Sequence, residues 1–106
     1  MADPVILSTG PVNPNAILYG VNASITDGDT FVDLSAESPT LTNVPVDGSA
    51  IISVNTSTGI QTYVIIAASN VTKKVSINGT FHLTETGRSW AIYLLNQSQC
   101  LLMFKP

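Results

Sequence analysis

Asp27, Asp29 and Asp33 lie in the stretch Thr-Asp-Gly-Asp-Thr-Phe-Val-Asp, the densest acidic group of the chain. Carboxylates two residues apart across a glycine turn can reach one hard cation, and Ca²⁺ accepts such oxygens together with backbone carbonyls. The stretch lacks the bidentate Glu that closes a full Ca²⁺ loop, and Asp-Gly-Asp is also an ordinary turn between strands. No metal and no other cofactor is therefore expected. Glu37 and Glu85 are the only glutamates. A glycosidase pair would need one of them in a pocket that raises its pKa, and nothing near either in sequence suggests one. His82, the only histidine, stands between Thr80 and Thr84 with Glu85 close by. A Ser-His-Asp arrangement would want a nucleophile turn such as Gly-x-Ser-x-Gly, which is missing. The single cysteine, Cys100, cannot make an internal disulfide and reads as a buried, inert thiol in Cys-Leu-Leu-Met-Phe. No residue is expected to be catalytic, and the chain is read as a non-enzyme.

Binding chemistry has better raw material. Tyr19, Tyr63, Tyr93 and Trp90 could stack on sugars while Asn, Thr and Gln supply hydrogen bonds; the competing reading makes them core or interface anchors. Lys73, Lys74, Arg88 and Lys105 are too few for the basic footprint of a nucleic-acid binder, and the formal net charge is −3. Charged residues make up only 10% of the 106 residues, against roughly 25% in an ordinary soluble domain. Surfaces built of Ser, Thr and Asn in their place suit either a β domain packed against neighbours in an assembly or a secreted domain with few charges. No run approaches a membrane span, and the start carries no signal-peptide pattern, so no membrane insertion is expected. Five tripeptides match the glycosylation acceptor, beginning at Asn22, Asn55, Asn70, Asn78 and Asn96; in a chain this rich in Asn, Ser and Thr they are read as chance matches.

The elements that must position these residues are strands. Residues 1–16 contain Pro4, Pro11 and Pro14 and read as an extended arm, with one short apolar strand that includes Val5, Ile6 and Leu7. Residues 17–106 form one β domain. Its predicted strands cover 17–21, 30–34, 40–44, 50–54, 61–68, 73–77, 80–84, 89–95 and 100–105, separated by Gly, Pro, Asn and Asp turns. The expected fold is all-β, a small antiparallel β-sandwich or β-meander with an extended Pro-rich N-terminal arm.

Asn78-Gly79 is the strongest local turn signal. A type I turn with a G1 bulge would pair Val75 with Phe81 and group the apolar residues on one face, so a bulged hairpin is expected there. Strands 60–68, 89–95 and 100–105 are apolar on both faces. One buried face is enough for a lone sandwich, so two-sided strands ask for a second partner surface. A homo-oligomer, with a trimer as the natural choice, would supply one; burial by loops on the outer face is the alternative. The candidate interface residues are Val5, Ile6, Leu7, Trp90, Tyr93, Leu95, Leu101 and Met103.

The stretch 42–93 resembles pyocin-knob-type modules of tailed-phage tail fibres and bacteriocin fibres. The pieces that carry the resemblance are Thr42-Asn43-Val44-Pro45, Gly59-Ile60-Gln61-Thr62-Tyr63, Lys74-Val75-Ser76-Ile77-Asn78-Gly79-Thr80-Phe81 and Arg88-Ser89-Trp90. Lys74 stands where such modules often have Arg, Phe81 where they often have Trp, and residues 83–87 are an insertion. The resemblance covers about half of the chain and implies a small β-meander in a non-enzymatic phage structural protein. Read as a free-standing 106-residue protein with a Pro-rich arm, the chain looks like a capsid decoration (cement) protein or a head or tail fibre component. Its expected location is the virion, assembled in the host cytoplasm, with capsid or fibre subunits as partners. The alternative is a carbohydrate-binding adhesin whose partner is a surface glycan.

Overall fold

A computed structural model describes residues 16–95. Six strands run through them: β1 (Ala16–Ile25), β2 (Phe31–Asp33), β3 (Ala50–Thr56), β4 (Gly59–Ala68), β5 (Lys74–Ile77) and β6 (Glu85–Leu94). Every pairing is antiparallel, and the order β1-β2-β5-β4-β3-β6 closes on itself as a barrel. Strands β3, β4 and β5 follow one another as neighbours, and β6 returns beside β3, which is a Greek-key connection. The all-β expectation holds, with no helix among the described residues and the sheet closed into a barrel. Closure removes the long edges that an open sheet of this size would expose. The arm residues Val5, Ile6 and Leu7, and Cys100, Leu101 and Met103 near the C-terminus, lie outside the described residues.

Alternation along each strand builds the interior. Ala23 and Ile25 of β1, Val32 of β2, Ile52 and Val54 of β3, Ile65 of β4, Val75 and Ile77 of β5, and Trp90 and Ile92 of β6 point inward and are buried together. Loop residues Leu34, Leu41, Val44 and Phe81 plug the barrel from its ends. Residues 40–44 are thus a correction to the strand reading. Leu41 and Val44 are buried, but the segment is a turn in which the Val44 amide donates to the Leu41 carbonyl at 3.1 Å. Two apolar residues three apart would fall on opposite faces of a strand, whereas in this turn both reach the core.

The predicted bulged hairpin at Asn78-Gly79 does not form, and 80–84 is not a strand. Val75 pairs with Val32 on one side and Ala68 on the other, so β5 has no free edge for Phe81. Phe81 bonds instead to the β1–β2 turn: its amide donates to Asp29 at 3.0 Å, and its carbonyl accepts from Gly28 at 2.8 Å. Asn78 extends the β4–β5 ladder, its amide donating to Val64 O and its Oδ1 accepting from Val64 N, each at 3.1 Å.

Gly79 is needed for space rather than for a positive φ. A Cβ there would lie 2.5 Å from one Tyr63 ring atom and 2.6 Å from another. The same Tyr63 ring meets Phe81 edge-on at 5.3 Å between centroids, so it is not free to move aside. Gly79→Ala is expected to destabilise the fold by about 1–3 kcal/mol, as overpacking does. The check is the urea midpoint at unchanged m-value; wild-type stability would mean that Tyr63 yields.

Of the two-sided strands, β6 finds cover within the chain, whereas Ile66 of β4 stays 53% exposed and 100–105 lie outside the described residues. On the outer face, Ile51 of β3, Val64 of β4, Ala91 and Tyr93 of β6, and Leu95 form a second buried cluster, with Ala16 packed against it. Apolar residues do fill both faces of β6, and both faces are buried in a single copy.

Candidate functional site

The surface that stands out is the outer side of β1 and its neighbours. Along β1, Ile17, Tyr19 and Val21 alternate outward and are exposed by 37%, 70% and 69%. Three large apolar side chains in a row on one strand face are unusual for surface that stays in water. Beside them a groove of about 340 Å³ runs across the barrel wall. Tyr19 and Val21 form one bank, Ser53 and Asn55 of β3 with Ile60 of β4 the other, and Ser89, Ala91 and Tyr93 of β6 lie between. The Ser53 hydroxyl is spoken for by its cross-strand neighbour Thr62, 2.8 Å away.

One end of this surface is fixed by a carboxylate. The β1–β6 register slips between Gly20 and Ala23, so Val21 and Asn22 lie opposite a single residue of β6. Their amides turn to Glu37 in the β2–β3 loop: Val21 N donates to Oε2 and Asn22 N to Oε1, each at 3.0 Å. The Trp90 indole Nε1 donates to Glu37 Oε1 at 2.7 Å. Glu37 thus binds the bulge of β1 to the tryptophan of β6. Gly20 makes this possible, because a Cβ there would collide with both Glu37 oxygens and with Trp90 Nε1. Burial pushes the Glu37 carboxyl up, but the hydrogen bonds from Trp90, Val21 and Asn22 outweigh it and leave the pKa below its ordinary value.

A second carboxylate ties the far end of β6 to the β3–β4 turn. Glu85 Oε1 accepts from the Ser57 amide at 2.9 Å, and Arg88 Nε donates to the Asn55 carbonyl at 2.8 Å. Hydrogen bonding to Ser57 lowers the Glu85 pKa, with a smaller contribution from the Arg88 charge. A glycosidase acid needs a raised pKa, and both glutamates are lowered. Their shared chemistry is that of backbone acceptors.

The remaining chemical candidates are scattered. Asp29 and Asp27 flank the β1–β2 turn, with the Asp29 amide donating to Thr26 O at 3.0 Å and the Asp27 amide to Thr84 Oγ1 at 3.0 Å. Asp33 accepts from Ser35 N at 2.9 Å, and its pKa is lowered by Ser35 first and by the Lys74 charge last. Among the described residues no three His, Cys, Asp or Glu side chains gather as metal ligands would. His82 is exposed on the irregular segment after β5, not on a strand.

Of the sequence-predicted interface residues, Trp90, Tyr93 and Leu95 are within the described region, and all three are buried inside one copy. Trp90 faces the barrel core, since it shares its parity with Ile92. Tyr93 and Leu95 belong to the outer-face cluster. Exposure on this wall falls instead to Ile17, Tyr19 and Val21, of which the sequence reading singled out only Tyr19, as a sugar-stacking candidate. Their signal was present in the alternation itself, because Ile17, Tyr19 and Val21 repeat every second residue.

The chain matches no protein-family model, no curated protein and no solved structure.

Proposed function

We propose that this chain is a non-enzymatic virion structural protein of a tailed phage, a capsid decoration (cement) protein or a head or tail fibre component. The resemblance of residues 42–93 to fibre modules supplies the virion setting. The exposed row Ile17, Tyr19 and Val21 beside the groove carries the binding part of the reading. It offers coat subunits an apolar row on a strand without a single charged side chain. Such a contact gains from apolar burial at about 25 cal/mol per Å² and little from charge steering.

Two measurements test the reading. Mass spectrometry of purified virions should find the protein in stoichiometric amount. Its binding to particles should persist at ~1 M NaCl, where the Debye length is about 3 Å, and should be lost in Val21→Lys. Absence from virions, or binding that Val21→Lys leaves intact, would overturn it.

A second reading has one observation in its favour. The Tyr19 ring is the most exposed aromatic of the groove, and Asn55 and Ser89 stand across from it as polar groups, as in a sugar-stacking site. Trp90 does not serve that reading, because its ring is in the core and its N–H is held by Glu37. Glycan-array binding abolished by Tyr19→Ala would favour the adhesin.

A further inference from the structure

The outer cluster on β6, β3 and β4 is buried more deeply than its place on the barrel wall provides. Ala16, Tyr93, Ile51 and Val64 are paired in one row across β1, β6, β3 and β4, on the side away from the core. Neighbours on one sheet face stand ~4.8 Å apart and cover each other's flanks, while their tips point away from the sheet. Two outward apolar side chains of the same barrel show what that leaves. Tyr19, opposite Ala91, is 70% exposed, and Ile66, two residues beyond Val64, is 53% exposed. Ile51 and Tyr93 are 0% and 1% exposed. Among the described residues only Ala16 joins the cluster from its margin, and no strand is laid over another outside the sheet pairings. A further layer of chain has to lie over the row.

The burial fades in one direction. Beside the row, Ala91 and Ser53 are still buried, and two residues further along β6 and β3, Ser89 and Asn55 are exposed. The covered end is the one at which residue 15 enters β1 and residue 96 leaves β6. Only the segments 1–15 and 96–106 remain to supply the layer, and they differ in what they bring.

We propose that Cys100-Leu101-Leu102-Met103-Phe104 of the same chain lies over this row as a strap. Two features select it over the N-terminal arm. The row crosses three inter-strand gaps, ~14 Å, which five extended residues at ~3.3 Å each can span and the three apolar residues Val5, Ile6 and Leu7 cannot. Leu95 is itself a member of the cluster, and the four polar residues Asn96-Gln97-Ser98-Gln99 are loop enough to turn the chain back over the face it leaves. The arm instead has eight residues between Leu7 and Ala16, with Pro11 and Pro14 among them. An uncharged apolar strap on an uncharged apolar row gains from burial alone.

The strap has a consequence for the groove. Ala91 and Tyr93 belong both to the covered cluster and to the groove lining, so the strap forms part of the groove wall. Whatever fills the groove then meets residues 100–104 as well as Tyr19 and Val21. This holds for a coat subunit and for a glycan alike, so the strap stands independently of the proposed virion role.

Hydroxyl-radical labelling of the full chain, read by peptide mass spectrometry, tests the cover. In the wild type Tyr93 should label at least about tenfold more slowly than Tyr19, and Trp90 should be protected with it. Leu102→Lys combined with Phe104→Lys should raise Tyr93 labelling at least about fivefold while Trp90, inside the barrel, stays protected. Val5→Lys combined with Leu7→Lys should leave Tyr93 protected. A second measurement needs no variant. Cys100 of the wild-type chain should react with dithionitrobenzoate at least about tenfold more slowly than in the synthetic peptide 96–106, equally at every protein concentration.

Tyr93 labelled freely in the wild type, or Cys100 reacting as fast as in the peptide, overturns the proposal. So does protection that appears only at high concentration, which would assign the cover to a second copy. Tyr93 still protected in the Leu102 and Phe104 variant overturns it as well, assigning the cover to the arm or to the loop 45–49. Should that variant unfold the barrel, seen as labelling of Trp90, the wild-type Cys100 rate decides alone.

Discussion

Glu37→Ala is expected to lower the stability of the fold by about 2–3 kcal/mol at neutral pH, from hydrogen bonding alone. The carboxylate accepts from the Val21 and Asn22 amides and from the Trp90 indole. When it is removed, water can reach the amides of exposed Val21 and Asn22, but Trp90 is only 4% exposed and its N–H loses its partner. The cost is therefore concentrated in the indole. A cycle of Glu37→Ala with Trp90→Phe isolates it, and a coupling of about 1–2 kcal/mol is expected. Additive single losses would show that the indole bond contributes nothing. The pH dependence has a definite sign. The folded-state pKa of Glu37 lies below its unfolded value, so the stabilisation is fully present above the unfolded pKa and is lost as pH falls through the folded one. Asp33 is lowered as well and acts in the same direction. Urea midpoints should fall on acidification below about pH 4, and Glu37→Gln should flatten that fall because an amide does not titrate there. An equally steep acid limb in Glu37→Gln would shift the effect to other carboxylates.

Strand positions were largely legible because alternation and turn chemistry act locally. The runs around 17–21, 50–54, 61–68 and 73–77 became β1, β3, β4 and β5, with β1 and β6 reaching further than their apolar cores suggested. In the extensions at 22–25 and 85–88 only Ile25 and Thr86 favour a strand, among Asn22, Ala23, Ser24, Glu85, Gly87 and Arg88. The failures share one cause: which strand lies next to which is set at long range. Val75 could be paired with Phe81 on paper because Asn78-Gly79 is a good hairpin turn; β2 and β4 already occupy both edges of β5. Closure of the barrel was invisible for the same reason, since its seam is a single pair between residues 24 and 33. The site was half legible. Trp90 and Tyr93 were rightly picked out as anchors, but nothing in the sequence said that the barrel would hold the first and the outer cluster the second. Glu37 was weighed only as an acid of a glycosidase pair, because a carboxylate bound to a bulge has no motif.

Trp90→Ala is expected to cost about 3–5 kcal/mol, the usual range for truncating a buried aromatic. The ring is buried in the barrel interior with Ile92 and Val54, so its removal leaves a cavity there. Glu37 would lose one of its three donors in the same step, so the cavity cost and the hydrogen-bond cost fall together. For a domain of this size each kcal/mol corresponds to roughly 4–8 °C, so the melting temperature should fall by roughly 12–40 °C in a thermal scan. Such a loss approaches the total stability of about 5–15 kcal/mol that domains possess, so part of the population will be unfolded at 37 °C. Lost binding in this variant would therefore report on folding and say nothing of a sugar or a subunit. Tyr19→Ala, at an exposed position outside both buried clusters, should change stability by no more than about 0.5 kcal/mol. The pair separates the two roles: if Trp90→Ala melts like the wild type, the ring does not support the barrel, and Trp90 returns as a candidate for the binding surface.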